Sequence, residues 1–491
     1  MPNLPKQLVA EFLDEYRINR TYSRERIARL ASMTFSDNSE VAESATRAVF
    51  TGLVEPLADS FEPADVTLYN RLFAQVIQTC RADPRARALD RELSAVGLTS
   101  EEDLIARAEE LRRITPLHGW RDWAKNLRRV IVLSRVTLGA DVAVTSVIIN
   151  RLKDCLLVPQ TLIGGAKLKE LFGGDADLSF KEVNYARSGT MIERLLAWLD
   201  LLASVREATA DLKTGEFVIF DPDTRLTQLG LVPLSQAGST NSRPDYLFFP
   251  SREFGGSGSQ SLGELTSLWL DRVFEQNVRT YPFVNLRPAD TEAARNLTSR
   301  FGRDNSKPIV TMNFGVGENS AKCLNDEFEQ SLVFSLIQHG AIVFLDKGAS
   351  SDEVARADRI LSAALRIERD GRGVRVVELD EQRLASLPES IDADVLTWNG
   401  RIGLLAALIA QSDLYIGYDS AGQHIAAALG VPCIDVFAGF TSERFVQRWS
   451  PTGTAETRVV TVDAGGGSSE LAGCVTQHAI EMLQRANFKG C

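Results

Sequence analysis

The chain has 491 residues, of which 44% are hydrophobic and 24% are charged, and this length and composition are typical of about three globular domains. Its formal net charge of −11 argues against a nucleic-acid partner, which would require a basic face. No apolar run approaches the roughly 20 residues that span a bilayer, and the N-terminal residues mix charge with apolar spacing, unlike a signal peptide. We therefore expect a cytoplasmic protein.

Residues 1–120 are expected to form an all-helical accessory domain. Apolar positions such as Leu8, Phe12, Ile27 and Leu30 recur at helical spacing. Ser100, followed by three acidic residues, is typical of a helix N-cap. No repeat of fixed period is apparent, which argues against a solenoid. This domain is also a candidate surface for forming a homo-oligomer.

Residues 121–285 change to alternating strands and helices, which predicts a parallel α/β sheet. The strands are predicted at residues 130–133, 217–220 and 246–249. A turn at Gly139 is expected to lead into a helix through Ser146 and Leu152, and the glycines of residues 255–258 are expected to form a loop before a further helix.

Residues 286–491 repeat the same pattern, with strands predicted at residues 309–313, 342–345, 374–377, 414–417 and 433–437. Two doubly wound domains would then stand in tandem. Ligands of such sheets bind beyond the carboxyl ends of the strands, so two facing domains would enclose a cleft between them.

Residues 413–432, DLYIGYDSAGQHIAAALGVP, combine a buried strand, a polar turn and an alanine-rich helix. The first turn of such a helix has unpaired N–H groups and about half a positive charge, so a phosphate can bind there without a metal. Asp419, Ser420 and His424 surround this point. The alternative is an ordinary strand-to-helix connection with Asp419 or Ser420 as the N-cap.

The motif DSAGQHIAAALGVP at 419–432, continuing to Gly439 and Thr441, resembles the C-terminal signature of bacterial ADP-heptose:lipopolysaccharide heptosyltransferases, glycosyltransferase family 9. The run IVTMNFGVGENSAK at 309–322 is similar to that family's strand, loop and lysine, and VLSRVTLGADVAVTS at 132–146 is similar to its acceptor loop. The resemblance covers roughly residues 130–485. Two departures are Ala421, where the family has glycine, and Leu324-Asn325, which replaces its Trp-Pro.

The resemblance implies a GT-B fold, in which two Rossmann-like domains face a cleft, here preceded by the all-helical domain. It also implies an inverting, metal-independent glycosyltransferase without a cofactor. The donor would be a nucleotide sugar, ADP-heptose, and the acceptor a glycan, a lipid-linked molecule or a protein. Two other functions stay open: a sugar-nucleotide epimerase or hydrolase of the same fold, and a non-catalytic scaffold that binds nucleotide sugars.

The catalytic residues implied by the resemblance are Asp141 and Lys322. Asp141 would remove the proton of the acceptor hydroxyl, because a carboxylate shielded from water can have its pKa raised toward neutrality. Lys322, after a glycine-containing loop, would offset the charge of the leaving diphosphate. The alternatives are a helix-start aspartate and a solvated surface lysine.

The remaining site residues divide between the two substrates. Arg135 is placed on the acceptor side. The residues placed on the donor side are Asn313, Gly315, Asp419, Ser420, Gly422, His424, Gly439 and Thr441. Asp419 could accept hydrogen bonds from sugar hydroxyls, and His424 could contact phosphate or orient Asp419. A packed core histidine is the alternative for His424.

Four other features are interpreted more simply. Asp392 and Asp394 have the spacing of a metal-binding DxD pair, but we interpret both as solvated and predict no metal site. Asp221 and Arg225 either contact an acceptor or form a charged turn with a local ion pair. The basic stretch at 121–129 is either a solvated helix end or a contact with an anionic acceptor or a membrane surface. The six cysteines form no CxxC pair, so neither a zinc site nor a disulfide framework is expected.

Overall fold

The structure is a computed structural model, and it describes residues 4–113, 116–185, 189–235, 244–301, 307–317, 319–369, 371–384, 386–463 and 466–488. Among these residues no helix is long and apolar enough to cross a membrane. The same residues contain no group of three or more His, Cys, Asp or Glu side chains arranged to hold a metal ion.

The N-terminal region is helical, as predicted. Its helices are α1 (Leu4–Asn19), α2 (Arg24–Thr34), α3 (Ser39–Val49), α4 (Glu55–Asp59), α5 (Pro63–Arg81), α6 (Arg87–Ala95), α7 (Glu101–Leu111) and α8 (Trp120–Ala124), with a π-helical turn at Phe50–Val54 and a 3₁₀ turn at Pro84–Ala86. The predicted cap is present, since the Ser100 hydroxyl accepts from the N–H of Asp103, whose carboxylate accepts from the N–H of Ser100.

The first sheet contains five parallel strands in the order β3-β2-β1-β4-β5. They are β1 (Arg129–Leu133), β2 (Gln160–Gly164), β3 (Leu178–Glu182), β4 (Phe217–Asp221) and β5 (Tyr246–Phe248). Their helices are α9 (Leu138–Ala140), α10 (Ser146–Leu156), α11 (Leu168–Phe172), α12 (Met191–Ala208) and α13 (Leu262–Val273), with a π-helical turn at Asp141–Thr145 and a 3₁₀ turn at Arg225–Thr227. Gly139 therefore lies inside the first helical turn and not in a turn before the helix, because α9 continues through the π-helical segment into α10.

The second sheet contains seven parallel strands in the order β10-β11-β7-β6-β12-β13-β14. They are β6 (Ile309–Asn313), β7 (Ile342–Asp346), β10 (Val376–Asp380), β11 (Val395–Asn399), β12 (Leu414–Tyr418), β13 (Cys433–Ala438) and β14 (Thr457–Val462), and a separate hairpin pairs β8 (Glu368–Arg369) with β9 (Arg372–Gly373). The helices are α14 (Pro288–Thr298), α15 (Asp326–Gln338), α16 (Ser351–Ala364), α17 (Glu381–Leu384), α18 (Ile402–Ile409), α19 (Ala421–Ala428), α20 (Glu443–Trp449) and α21 (Ser469–Phe488), with a 3₁₀ turn at Ser320–Lys322. The strand predicted at 374–377 begins two residues later than expected.

The hydrophobic cores continue across the three regions. On one face of the first sheet, Ile131 and Leu133 pack in a cluster with Phe12 and Phe73 of the helical region. On the opposite face, Val130 belongs to a cluster that continues into the second α/β domain. The helical region thus covers a face of the first sheet. The boundaries at residues 120 and 285 stay predictions, while the two doubly wound α/β domains preceded by helices confirm the predicted fold class.

The interpretation of Asp394 as a solvated residue is wrong. Its side chain is buried, and it accepts hydrogen bonds from the guanidinium of Arg372 at 3.0 Å and from the backbone N–H of Arg375 at 3.0 Å. Asp392, which is exposed, forms an ion pair with Arg375. The guanidinium groups of Arg372 and Arg375 compensate the cost of burying the Asp394 carboxylate. The two aspartates therefore connect the start of β11 to the hairpin and to the start of β10.

Candidate active site

Segments that follow the carboxyl ends of strands in the two sheets meet, because Gly139, after β1, lies against Ala421 and His424, after β12. In the first domain, β1 leads into the segment from Ser134 to Asp141. In the second, β6, β12 and β13 end at Asn313, Tyr418 and Ala438. The predicted donor-side and acceptor-side residues therefore lie on two loop sets that face each other.

Lys322 and Asp419 meet at the carboxyl edge of the second sheet. The ammonium of Lys322 forms an ion pair with the Asp419 carboxylate and is 3.5 Å from its backbone carbonyl. Gly439 lies beside them with a φ of 59°, and a Cβ at this position would overlap the carbonyl oxygen of Ala321. Glycine is therefore required for the β13 loop to approach the Lys322 turn this closely. Burial raises the pKa of Asp419, and the charge of Lys322 opposes this.

The first turn of α19 is adjacent to that ion pair. Ser420 occupies the N-cap position, but its side chain makes no capping hydrogen bond. Gly422 packs on the ring of Tyr415 and leaves no room there for a Cβ. His424 is buried, and burial lowers the pKa of its imidazole to about 3, so the ring is neutral. Besides Lys322, Gln423 also donates to the Asp419 carboxylate, with its Nε2 3.2 Å from Oδ1.

Asp141 is held in a fixed orientation by three donors. Its carboxylate accepts hydrogen bonds from the Ser134 hydroxyl at 2.7 Å, the Arg135 N–H at 2.6 Å and the Thr145 hydroxyl at 2.8 Å. Burial raises the pKa of Asp141 to about 6, although these hydrogen bonds and the Arg135 charge act in the opposite direction. A carboxyl group with a pKa near 6 is suited to exchanging a proton near neutral pH.

The two α/β domains pack directly against one another at this point. A Cβ added to Gly139 would lie 3.2 Å from Cδ2 of His424 and 3.3 Å from Cα of Ala421. The turn Asp141–Thr145 also packs against α19. The structure thus brings Asp141 and the first turn of α19 to one interface, at which the two domains are in direct contact.

Arg135 extends from the first domain to this interface. Its guanidinium donates to the Ser251 hydroxyl at 2.6 Å and lies 5.8 Å from the ring centroid of Trp449 in α20. The Ser251 hydroxyl donates in turn to Asp223 at 2.9 Å. Burial and the nearby Arg252 lower the pKa of Arg135 to about 10.

Asn313 is the last residue of β6 and pairs with Gly417 of the neighbouring strand β12, and Gly315 follows it in the loop. The Asn313 amide contacts Asp346 through Nδ2 and accepts from the Gly315 N–H at 2.8 Å through Oδ1. A small pocket beside Gly315 is lined by residues that include Gly315, Asp346 and Glu353. Thr441 is exposed in the loop between β13 and α20. These residues therefore border the same carboxyl edge without contacting Asp141.

Asp221 and Arg225 form a structural turn. The Asp221 carboxylate is fully buried and accepts from the Thr224 N–H at 2.8 Å and from the Thr227 hydroxyl at 2.6 Å. Arg225 faces Glu55 of the helical region at 3.7 Å. The turn is therefore present, but the local ion pair is wrong, because Arg225 pairs with Glu55 and Asp221 accepts from Thr224 and Thr227.

A comparison with protein families matches residues 378–463 to Glycosyltransferase family 9 (heptosyltransferase). The matched segment includes Asp419, Gly439 and Thr441. Over this segment the chain is similar to glycosyltransferase family 9. Residues Asp141 and Lys322 lie outside the matched segment, so their roles rest on the geometry above and on the sequence resemblance.

The individual proteins that match this chain have low sequence identity to it. Lipopolysaccharide heptosyltransferase 3 of Escherichia coli is 28% identical over 201 residues, which are 40% of this chain and 48% of that protein. The chain thus spans about half the length of this relative. The glycosyl transferase family 9 structure from Veillonella parvula has a TM-score of 0.51 at 14% identity, covering 73% of this chain and 97% of that one. ADP-heptose lps heptosyltransferase II of E. coli has a TM-score of 0.46 at 14% identity, covering 74% of this chain and 99% of that one.

Sequence reasoning missed several residues at this interface. Gln423, Trp449 and Arg448 lie in the second domain, and Phe61 and Glu62 lie in the helical region. The Arg448 guanidinium donates to the carbonyl oxygens of Gly256, Gly258 and Gln260 at 2.8, 3.0 and 2.6 Å. In the sequence, Arg448 and Trp449 look like any half-buried residues at the end of an amphipathic helix. Only their tertiary contacts show that they lie at this interface.

Proposed function

We propose that the protein is an inverting, metal-independent glycosyltransferase that transfers heptose from ADP-heptose to a glycan, lipid-linked or protein acceptor. One observation carries the proposal: Lys322 and the first turn of α19 converge on Asp419, directly opposite the segment that holds Asp141. The heptosyl donor is inferred from the family description and from the name of the E. coli relative.

The arrangement can assist each change of charge in the transfer. An acceptor oxygen attacks the anomeric carbon, its proton passes to Asp141, and the bond from that carbon to the diphosphate oxygen breaks. Lys322 and the free N–H groups of α19 stabilise the negative charge that develops on the diphosphate. Ser420 is suited to add a hydrogen bond, since its hydroxyl does not cap the helix.

The raised pKa of Asp141 is compatible with the role of a base. Its three hydrogen bonds use three of about four lone-pair positions of a carboxylate, which leaves one for an acceptor hydroxyl. Since the domains are in contact at Gly139, substrates enter when the two domains separate, and closure then brings Asp141 to the reacting atoms.

Incubating the purified protein with a panel of nucleotide sugars, each with and without candidate acceptors, tests the proposal. ADP-heptose should be turned over, and Asp141→Ala and Lys322→Ala should each lower turnover by about 100-fold or more. Turnover of the donor to an isomer without an acceptor would instead indicate an epimerase. Binding without any turnover would indicate a scaffold.

A further inference from the structure

A short segment of the helical region, residues 58–62, bonds to both α/β domains. Arg252 of the first domain donates through Nε to the carbonyl oxygen of Ala58 at 3.1 Å. Arg444 of the second domain donates to the carbonyl oxygen of Phe61 at 3.0 Å and pairs with Glu62 at 2.7 Å. The segment therefore spans the interface where the candidate site lies.

Phe61 is the apolar part of this contact. Its side chain is 2% exposed, and its ring lies 6.3 Å from that of Trp449 in an edge-on arrangement. The same indole lies 6.0 Å from the His424 ring and 5.8 Å from the Arg135 guanidinium. Phe61 has a φ of 56°, a left-handed conformation that costs about 1–2 kcal/mol for a residue with a side chain. The surrounding packing must offset that cost.

Asp59 adds charge at the same place. Its carboxylate is close enough to act electrostatically on both Arg135 of the first domain and Asp419 of the second. Residues from all three regions of the chain thus surround one point, and the helical region contributes both an aromatic ring and a carboxylate.

We propose that segment 58–62 is a third wall of the candidate site, which excludes water from the bound donor while the two α/β domains are closed. This inference rests on the proposed function. Water that reached the donor would replace the acceptor: its oxygen would bond to the anomeric carbon, the carbon–diphosphate bond would break, and its proton would pass to Asp141. The products would be free heptose and ADP, so a transferase requires water to be excluded.

The first test measures ADP release from ADP-heptose without an acceptor. Phe61→Ala removes the ring contact, and Glu62→Gln removes the ion pair with Arg444. Opening the wall should raise this hydrolysis about fivefold or more for Phe61→Ala and less for Glu62→Gln. Glu43→Gln, the same change at an exposed position of the helical region, should leave it unchanged. Rates that do not rise in either wall variant, with ADP binding intact, would overturn the proposal.

The second test does not depend on turnover. Hydrogen exchange followed by mass spectrometry should show faster exchange in α19 and in residues 134–140 of both wall variants, with α21 unchanged as the internal reference. Equal exchange in the wild type and both variants would overturn the wall even if the enzyme is inactive. A wild type that neither binds nor hydrolyses ADP-heptose would contradict the proposed function instead.

Discussion

The ammonium of Lys322 and the carboxylate of Asp419, 97 positions apart in the chain, form an ion pair at the first turn of α19. Asp419 is largely buried, whereas the Lys322 side chain is 21% exposed. A cation at this position is balanced by one carboxylate, and a bound diphosphate would compete with that carboxylate for it. We therefore expect donor binding to weaken the Lys322–Asp419 pair.

A double-mutant cycle tests the strength of this pair. Lys322→Met leaves the buried Asp419 carboxylate without its cation, so it should destabilise the protein more than Asp419→Asn does. The double variant should recover part of the loss, giving a coupling energy of about 1–3 kcal/mol in urea unfolding. Lys213→Met, at an exposed lysine, is the control. Strictly additive effects would contradict a direct pair.

The pH dependence of turnover tests Asp141 as the base. Its pKa is raised to about 6, and a base must be deprotonated, so kcat/KM should rise with pH and level off above about 6. In Asp141→Asn the residual kcat/KM should be at least about 100-fold lower and should lose this dependence. A pH profile that keeps the same rise in the variant would assign the titration to another group.

Stability should also depend on pH through Asp346, whose pKa burial raises to about 7. The folded protein then binds a proton more tightly than the unfolded chain, whose aspartates titrate near about 3.9. This contribution is complete below pH 4 and is lost as the pH rises from about 4 to about 7. Over that range the melting temperature of the wild type should fall relative to that of Asp346→Asn. Parallel curves for the two proteins would contradict the raised pKa.

Gly139 tests whether closure is needed for turnover. A side chain here would meet His424 and Ala421, whereas Gly165, in the same domain, faces open space. Gly139→Val should therefore hold the domains apart and lower kcat by about tenfold or more, with little change in ADP affinity. Gly165→Val is the matched control and should behave as the wild type. An unchanged kcat in Gly139→Val would show that this contact is dispensable.

The fold was predictable where the chain contains long runs of apolar and β-branched residues, as in β1, β6 and β13. The strands β2, β3, β11 and β14 and the short hairpin of β8 and β9 were missed. In β2, Gln160 and Gly164 flank only a short apolar run, and its strand conformation is stabilised by pairing with β1 on one side and β3 on the other. β14 pairs along one side only and alternates exposed and half-buried residues, so its sequence pattern is weak.

The candidate site was predictable only in part. Parallel-sheet topology places Lys322 and Asp419 at one edge, because both follow strands that are neighbours in the sheet. The contact of Phe61 with Trp449 could not be predicted from local sequence patterns, because it depends on how the helical region packs on the first sheet. The same holds for Asp394, whose burial depends on Arg372 and Arg375.

The affinity for ADP, measured by isothermal titration calorimetry with the wild type and Lys322→Ala, tests the central claim most directly. If Lys322 and the first turn of α19 bind the diphosphate, ADP should bind measurably to the wild type. Its affinity for Lys322→Ala should be about tenfold or more lower. Lys213→Ala should bind as the wild type does. Equal affinity in the wild type and Lys322→Ala, or no binding of ADP to the wild type, would contradict the account.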